Sequence, residues 1–149
     1  MDKTVAIAGG FDFLHEGHLD HILKASKLGN YLIIITHPCD ILIDKKGYCL
    51  QSYKIRATIL EAIMQYYDIH GRVVMSIDID GTVAKTLEKL QPDIFAKGGD
   101  RDANNMPQNE LEVCNECGIE IIYGQGDLLG SSSKGVLEAS KKLKAMGKI

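Results

Sequence analysis

Gly9-Gly10-Phe11-Asp12-Phe13-Leu14-His15-Glu16-Gly17-His18 sets two imidazoles three residues apart behind a glycine pair, and His21 stands three residues further on. Gly9 and Gly10 let the backbone turn sharply and approach a ligand, and Gly17 does the same where a helix is expected to begin. The first turn of such a helix presents unbonded N–H groups, a ready site for an anion. His15 and His18 flank it, and an imidazole there donates a hydrogen bond to a phosphate oxygen. A metal triad of His15, His18 and His21 is the competing reading. Its ends would lie about 120° apart around a helix, and the spacing of three differs from the spacing of four in helical zinc motifs. The residues therefore favour a phosphate site at His15 and His18, with His21 in the scaffold and no metal held by protein ligands.

Three other groups carry compatible chemistry. Gly130-Ser131-Ser132-Ser133-Lys134-Gly135 offers three hydroxyls and an ammonium at the start of the last helix. One serine suffices for a helix cap, so three beside a lysine point to phosphate. The stretch His37 to Ser52 holds Asp40, Asp44, Lys45 and Lys46, followed by Lys54 and Arg56. Gly98-Gly99-Asp100-Arg101 permits a close backbone approach, and Asp100 suits a ribose hydroxyl or a metal. The chain shows no paired nucleophile and base. A phosphomonoester needs none, because its second pKa is about 6 and it is already an anionic nucleophile near neutrality. The work left to the protein is to hold two anions together and to stabilise charge on the transferring phosphorus.

The elements that must position these groups follow from the patterning. Short β-branched runs (Thr4–Ala8, Tyr31–Thr36, Arg72–Ile77, Asp93–Lys97, Ile119–Tyr123) alternate with helical periods over 18–28, 53–67, 83–90, 107–117 and 134–146. His37 to Ser52, polar and aperiodic, reads as a long loop. Five strands alternating with five helices predict an α/β, Rossmann-like fold, a parallel sheet with helices on both faces. Ligands in such folds sit beyond the carboxyl ends of the strands, which is where all four groups fall.

The bulk properties set limits. The 149 residues predict one domain spanning 1–149, with 45% hydrophobic and 25% charged residues and a net charge of −3. That balance argues against nucleic-acid and membrane partners. The start of the chain lacks a signal-peptide pattern, so a cytoplasmic location is expected. Cys114 and Cys117 have CxxC spacing without a second pair to complete a zinc set, and read as helix thiols.

Gly10-Phe11-Asp12 followed by His15-Glu16-Gly17-His18 resembles the HxGH signature of the cytidylyltransferase-like nucleotidyltransferases. Lys45 to Ile63 resembles the lysine loop and arginine-bearing helix of the glycerol-3-phosphate cytidylyltransferase branch. Pro92 to Asp100 and Gly130 to Gly135 resemble segments of the nucleotidyltransferase domain of the ADP-heptose synthase branch. The resemblance implies a homodimer that uses Mg²⁺ and a nucleoside triphosphate, ATP or CTP, with a phosphorylated sugar or polyol as the other substrate. It implies that His15 and His18 act on the triphosphate and its transition state, with Lys46 binding phosphate and Lys45 as its substitute. Gly9, Gly10, Phe11, Asp12, Gly17, Gly99 and Asp100 fall on the nucleotide side, and Ser132, Ser133 and Lys134 on the segment meeting the β- and γ-phosphates. Asp12, Asp40, Lys45, Arg56 and Arg101 fall on the acceptor side. The implied reaction is nucleotidyl transfer with release of pyrophosphate, to a heptose-phosphate-like acceptor with ATP, or with CTP to glycerol 3-phosphate. A nucleotide-binding module without catalysis is the alternative. Two stretches differ from those branches: Gln125 to Gly130 replaces an arginine-bearing run, and Arg101 stands where the heptose branch has an aromatic residue.

Overall fold

The computed structural model describes residues 2–127 and 132–149, and of Ser132 and Ser133 it describes the backbone. The continuous apolar run Tyr31–Thr36 forms the second strand, and its alternation divides the core. Leu32 and Ile34 join Val5, Ile7, Ile22 and Leu60 on one face of the sheet. Ile33 and Ile35 join Ala6, Leu87, Phe95 and Cys114 on the other. A strand covered on both sides needs no polar face, which is why this run lacks one.

Among the described residues the elements are β1 (Thr4–Gly9), α1 (Glu16–Ser26), β2 (Tyr31–Thr36), α2 (Cys39–Lys46), α3 (Tyr53–Tyr66), β3 (Gly71–Met75), α4 (Ala84–Leu90), β4 (Ile94–Ala96), α5 (Gln108–Cys117), β5 (Glu120–Ile122) and α6 (Ser132–Ala145). The sheet order is β3-β2-β1-β4-β5 and every pair is parallel. The fold is therefore the expected α/β Rossmann-like one. The chain runs outward from β1 to β3, then returns to the other side of β1 as β4. The crevice at that reversal, between the ends of β1 and β4, is where such sheets take ligands. No helix among the described residues is long and apolar enough to cross a membrane.

One sequence expectation is corrected. The stretch His37 to Ser52 is not a loop throughout, because Cys39–Lys46 forms α2. Only Ile41 and Leu42 of this helix are buried, too little apolar surface to produce a 3.6-residue period. The signals that mark it are its ends: Pro38 at the N-cap and Gly47 in the left-handed conformation at φ 88°. In α3 the apolar stripe Ile55, Ile59, Ile63 that marks the helix is not its buried face. The helix instead buries Arg56, Ala57, Leu60 and Met64, and Ile55 is exposed. α1 ends at Ser26, and Gly29 lies beyond it. A Cβ there would come within 2.4 Å of the Lys3 carbonyl oxygen, so packing against the start of β1 requires the glycine.

Cys39 and Cys49 are joined by a disulfide that brackets α2. The segment Ile43 to Gly47 is exposed throughout, and this bond ties it to the chain that follows. Closing a loop of this length stabilises by about 2.5 kcal/mol in the chain-entropy account. Cys49→Ser is expected to lower unfolding free energy by about that amount, measured by urea denaturation under oxidising conditions, and reduction of the wild type is expected to give the same loss.

Candidate functional site

The carboxyl ends of the strands open into a cleft of about 430 Å³, a size that suits a small ligand. The β1–α1 turn forms one part of it. Phe11 takes a positive φ of 50° and its ring is buried in the core, so this residue anchors the turn rather than facing the cleft. Asp12 is also buried, and its two carboxylate oxygens accept from the backbone N–H groups of Leu50 and Gln51 at 2.7 and 2.8 Å. Arg56 is fully buried, and its guanidinium donates to the Gln51 carbonyl, the Gly10 carbonyl and Thr36 Oγ1, each at 2.9 Å. The structure thus uses Asp12 and Arg56 to fasten the turn after β1 to the segment after α2, and it places neither on the cleft wall.

His15 and His18 cap the helix they introduce. His15 is the N-cap, with extended backbone, and its Nδ1 accepts from Gly17 N–H at 3.0 Å. His18 Nδ1 accepts in return from His15 N–H at 3.2 Å. This is a capping box made by two imidazoles in place of hydroxyl and carboxylate. It also sets the tautomer: with each Nδ1 accepting, each Nε2 carries the hydrogen and is left as a donor. The rings stack with centroids 3.8 Å apart, and both line the cleft. Burial pushes the His18 pKa down to about 3, helped by the neighbouring His15 and Lys46. The His15 pKa is lowered too, again chiefly by burial. The pair therefore faces the cleft as neutral donors at neutral pH.

The cations come from other loops. Lys46, at the end of α2, places its Nζ over Gly10: a Cβ on that glycine would lie 3.4 Å from it. Lys45 lines the cleft and its Nζ donates to the Gly81 carbonyl at 3.2 Å. Lys97, the last position before Gly98-Gly99, holds its ammonium 4.6 Å from the Phe95 ring centroid, and burial lowers its pKa. Arg101 also lines the cleft, with Nη1 donating to the Asn105 carbonyl at 2.7 Å. Four cations thus converge with His15 and His18 where the fold leaves its crevice.

Gly99 has a structural reason of its own. A Cβ there would come within 2.4 Å of the Gly126 carbonyl oxygen, so the loops after β4 and β5 touch at this point. His21 secures the second loop, with its Nδ1 bonded to the Gln125 carbonyl. Asp20 accepts from Asp127 N–H at 2.8 Å beside it. His21 thus belongs to the scaffold while also reaching the cleft wall. Asp100 is exposed at the rim. Asp40 is exposed on the first turn of α2, away from the cleft wall, with Oδ1 accepting from Ile41 N–H. The side chains of Ser132 and Ser133 lie outside the described residues, and Lys134 is exposed on α6. Among the described residues no group of three or more His, Cys, Asp or Glu could hold a metal ion.

Three cleft residues escaped the sequence reading. Lys97 had a signal, since it directly precedes the Gly98-Gly99 pair. His37 follows β2 directly and bonds Ser76 Oγ through Nδ1 at 2.6 Å. Burial, with Lys45 nearby, brings its pKa down to about 4. Glu110 had no local signal and reaches the cleft only through the packing of α5 against α4.

The buried imidazoles make stability acid-sensitive. Above pH 6.5 His18 and His37 are neutral in both the folded and unfolded chains. Below it the unfolded chain takes up protons that the folded chain refuses until about pH 4 for His37 and about pH 3 for His18. Stability is therefore expected to fall steadily from pH 6.5 to pH 4. Urea melts at pH 7 and pH 5 check this, and the drop should shrink in His37→Asn.

Comparison with known proteins agrees with this geometry. The profile described as cytidylyltransferase-like matches residues 6–134. The bifunctional protein HldE of Blochmanniella floridana is 31% identical over 143 residues, covering 94% of this chain and 28% of that protein. The FAD synthase of Pyrococcus abyssi is 32% identical over 100 residues, covering 66% of this chain and 64% of the relative. The chain thus spans about a quarter of the first relative's length and under two thirds of the second's. A bifunctional NMN adenylyltransferase/ADP ribose pyrophosphatase from Francisella tularensis shares the fold, with a TM-score of 0.68 at 16% identity over 95% of this chain and 43% of its own. The sheet order, the capping histidines at the head of α1 and the matched profile lead to one assignment: the chain belongs to the cytidylyltransferase-like family of nucleotidyltransferases.

Proposed function

We propose that residues 1–149 form one nucleotidyltransferase domain, which joins a nucleoside triphosphate to a phosphorylated sugar or polyol and releases pyrophosphate. The observation that carries this is the cleft at the head of α1, where two neutral imidazole donors meet Lys45, Lys46, Lys97 and Arg101. In this reading an oxygen of the acceptor phosphate attacks the α-phosphorus. The bond from that phosphorus to the bridging oxygen breaks, and its electron pair leaves with pyrophosphate. His15 and His18 donate through Nε2 to the phosphate oxygens that gain charge, and Lys46 adds its ammonium over Gly10. Gly9, Gly10 and Gly17 leave room for the phosphates. Neutral donors suit this task, because each keeps an Nε2 hydrogen for the phosphate oxygens at neutral pH.

The residues fit a magnesium ion that arrives on the triphosphate rather than one caged by the protein, since Mg²⁺ is held largely by substrate phosphates and water. Asp100 at the rim would meet it in this reading. When bound, the ion supplies charge neutralisation at the phosphates. Ser132, Ser133 and Lys134 complete the phosphate contacts in this reading, and the protein acts in the cytoplasm as a homodimer.

Two acceptors are ranked. A heptose-phosphate-like acceptor with ATP is favoured, supported by the Gly98-Gly99-Asp100 and triple-serine segments and by the likeness to HldE. Glycerol 3-phosphate with CTP comes second, supported by the lysine-bearing α2 and the helix that follows. A matrix of ATP and CTP against sugar, polyol and flavin phosphates, read as pyrophosphate release, decides among them. The flavin arm is included because one relative is a FAD synthase. Tight triphosphate binding without pyrophosphate in any well would replace catalysis by a binding role.

A further inference from the structure

Building on the nucleotidyltransferase reading, we propose that Glu110 selects the acceptor by accepting a hydrogen bond from a hydroxyl group beyond the acceptor's phosphate. Glu110 stands in the first turn of α5 and is 4% exposed, yet it forms part of the cleft wall with Gly81, Val83 and Pro107. One carboxylate oxygen is spent: Oε2 accepts from Val83 N–H at 3.0 Å, at the head of α4. The other is not. Among the described residues, Oε1 is a buried side-chain oxygen with no hydrogen-bond partner.

Neighbouring cations do not fill that position. Lys45 and Lys97 both feel the charge of Glu110. Lys45 nevertheless spends its Nζ on the Gly81 carbonyl, and Lys97 rests over the Phe95 ring. Arg101, which faces the same two lysines, bonds the Asn105 carbonyl. Buried carboxylate oxygens are rarely left open in a native fold, and an open one inside a ligand cleft is a place held for a ligand donor. Phosphate cannot be that ligand, because it is an acceptor and carries the same charge. The cations of this wall suit the phosphate, and the carboxylate suits a neutral hydroxyl on the same molecule. Oε1 is shielded from water in the free cleft, so a ligand reaches it only as neighbouring side chains give way. The recognised class is therefore a phosphate ester of a polyol or sugar, and simple alkyl phosphates are rejected. A site built to bond a hydroxyl can discriminate by up to about 10⁴-fold against an analogue that lacks it.

Calorimetric titration of the full chain tests this without relying on turnover. Glycerol 3-phosphate, ribose 5-phosphate and n-propyl phosphate are titrated in turn, with α,β-methylene-ATP and then α,β-methylene-CTP present. The wild type is expected to bind at least one hydroxylated ester about tenfold or more tightly than propyl phosphate. Glu110→Ala is expected to erase that preference while the affinity for the nucleotide analogues stays within about twofold. Should Glu110→Ala fail to fold, Glu110→Gln keeps the Val83 bond through its carbonyl oxygen, and loss of the charge is expected to shrink the preference severalfold. Equal binding of the three esters, no binding of either hydroxylated ester, or an unchanged preference in the folded variant overturns the proposal. Selective binding without pyrophosphate release in the wild type would instead count against the catalytic reading and leave Glu110's role standing.

Discussion

Replacing His18 by alanine is expected to lower the rate of pyrophosphate release about a hundredfold or more, the typical cost of removing one donor aimed at developing charge. The fold should survive, because the change deletes one half of a capping box whose other half, His15 Nδ1 with Gly17 N–H, remains. The stability cost of one lost cap is about 1 kcal/mol, small beside the loss in rate. His18→Gln supplies a carbonyl for His15 N–H and an amide donor for the cleft, so it is expected to recover part of the loss. The pH profile adds a separate check. With a pKa near 3, His18 should contribute no inflection to kcat/KM between pH 5 and pH 8, since that parameter reports the free enzyme. Full turnover in His18→Ala would remove His18 from the mechanism, and a profile that falls as an imidazole near 6.5 loses its proton would overturn its role as a neutral donor.

How far this site was legible in the sequence depends on the range over which each residue acts. The fold follows from local signals: Tyr31–Thr36 has no polar face because both faces are covered, and Gly118 closes α5 from the left-handed conformation at φ 69°. His15 and His18 were legible because a turn, a glycine and a helix start lie within ten residues of one another. Yet the sequence shows only that these histidines stand near a helix N-terminus. That they cap it, and so have their tautomers set, requires the Nδ1 geometry. Gly99 reads equally well as a ligand approach or a loop contact, and only its closeness to Gly126 separates the two. Glu110 was invisible, because its importance comes from an oxygen left unbonded after α4 and α5 pack. Asp12 and Arg56 show the opposite case. Their types and positions suit an acceptor site, but folding turns both inward, because the turn at Gly10 and the segment at Leu50 and Gln51 carry backbone groups that need partners.

Arg56 therefore offers the second large effect, on stability first and activity second. Its side chain is 0% exposed and serves the carbonyls of Gly10 and Gln51, the hydroxyl of Thr36 and, at 3.9 Å, Cys39 Sγ. Asp12 supplies the nearby negative charge that opposes the burial cost of the guanidinium. Arg56→Ala removes the guanidinium donor from the Gln51 carbonyl, leaves the Gly10 carbonyl to Thr36 Oγ1, and strips Asp12 of its countercharge. Removing one member of such a buried arrangement costs about 3–5 kcal/mol, which in a chain of this size corresponds to a fall in Tm of roughly 10 °C. Arg56→Lys is expected to recover little, since one ammonium cannot reproduce the planar fork that serves acceptors on both sides. Because Gly10 lies beneath Lys46 and Gln51 follows Cys49, loosening this clamp displaces both the β1–α1 turn and the lysine-bearing segment. The KM for the nucleotide and the KM for the acceptor should then rise together. An Arg56→Lys protein that keeps its wild-type Tm and raises only the KM for the acceptor would show a guanidinium that touches substrate, and would return Arg56 to the acceptor side where the family resemblance placed it.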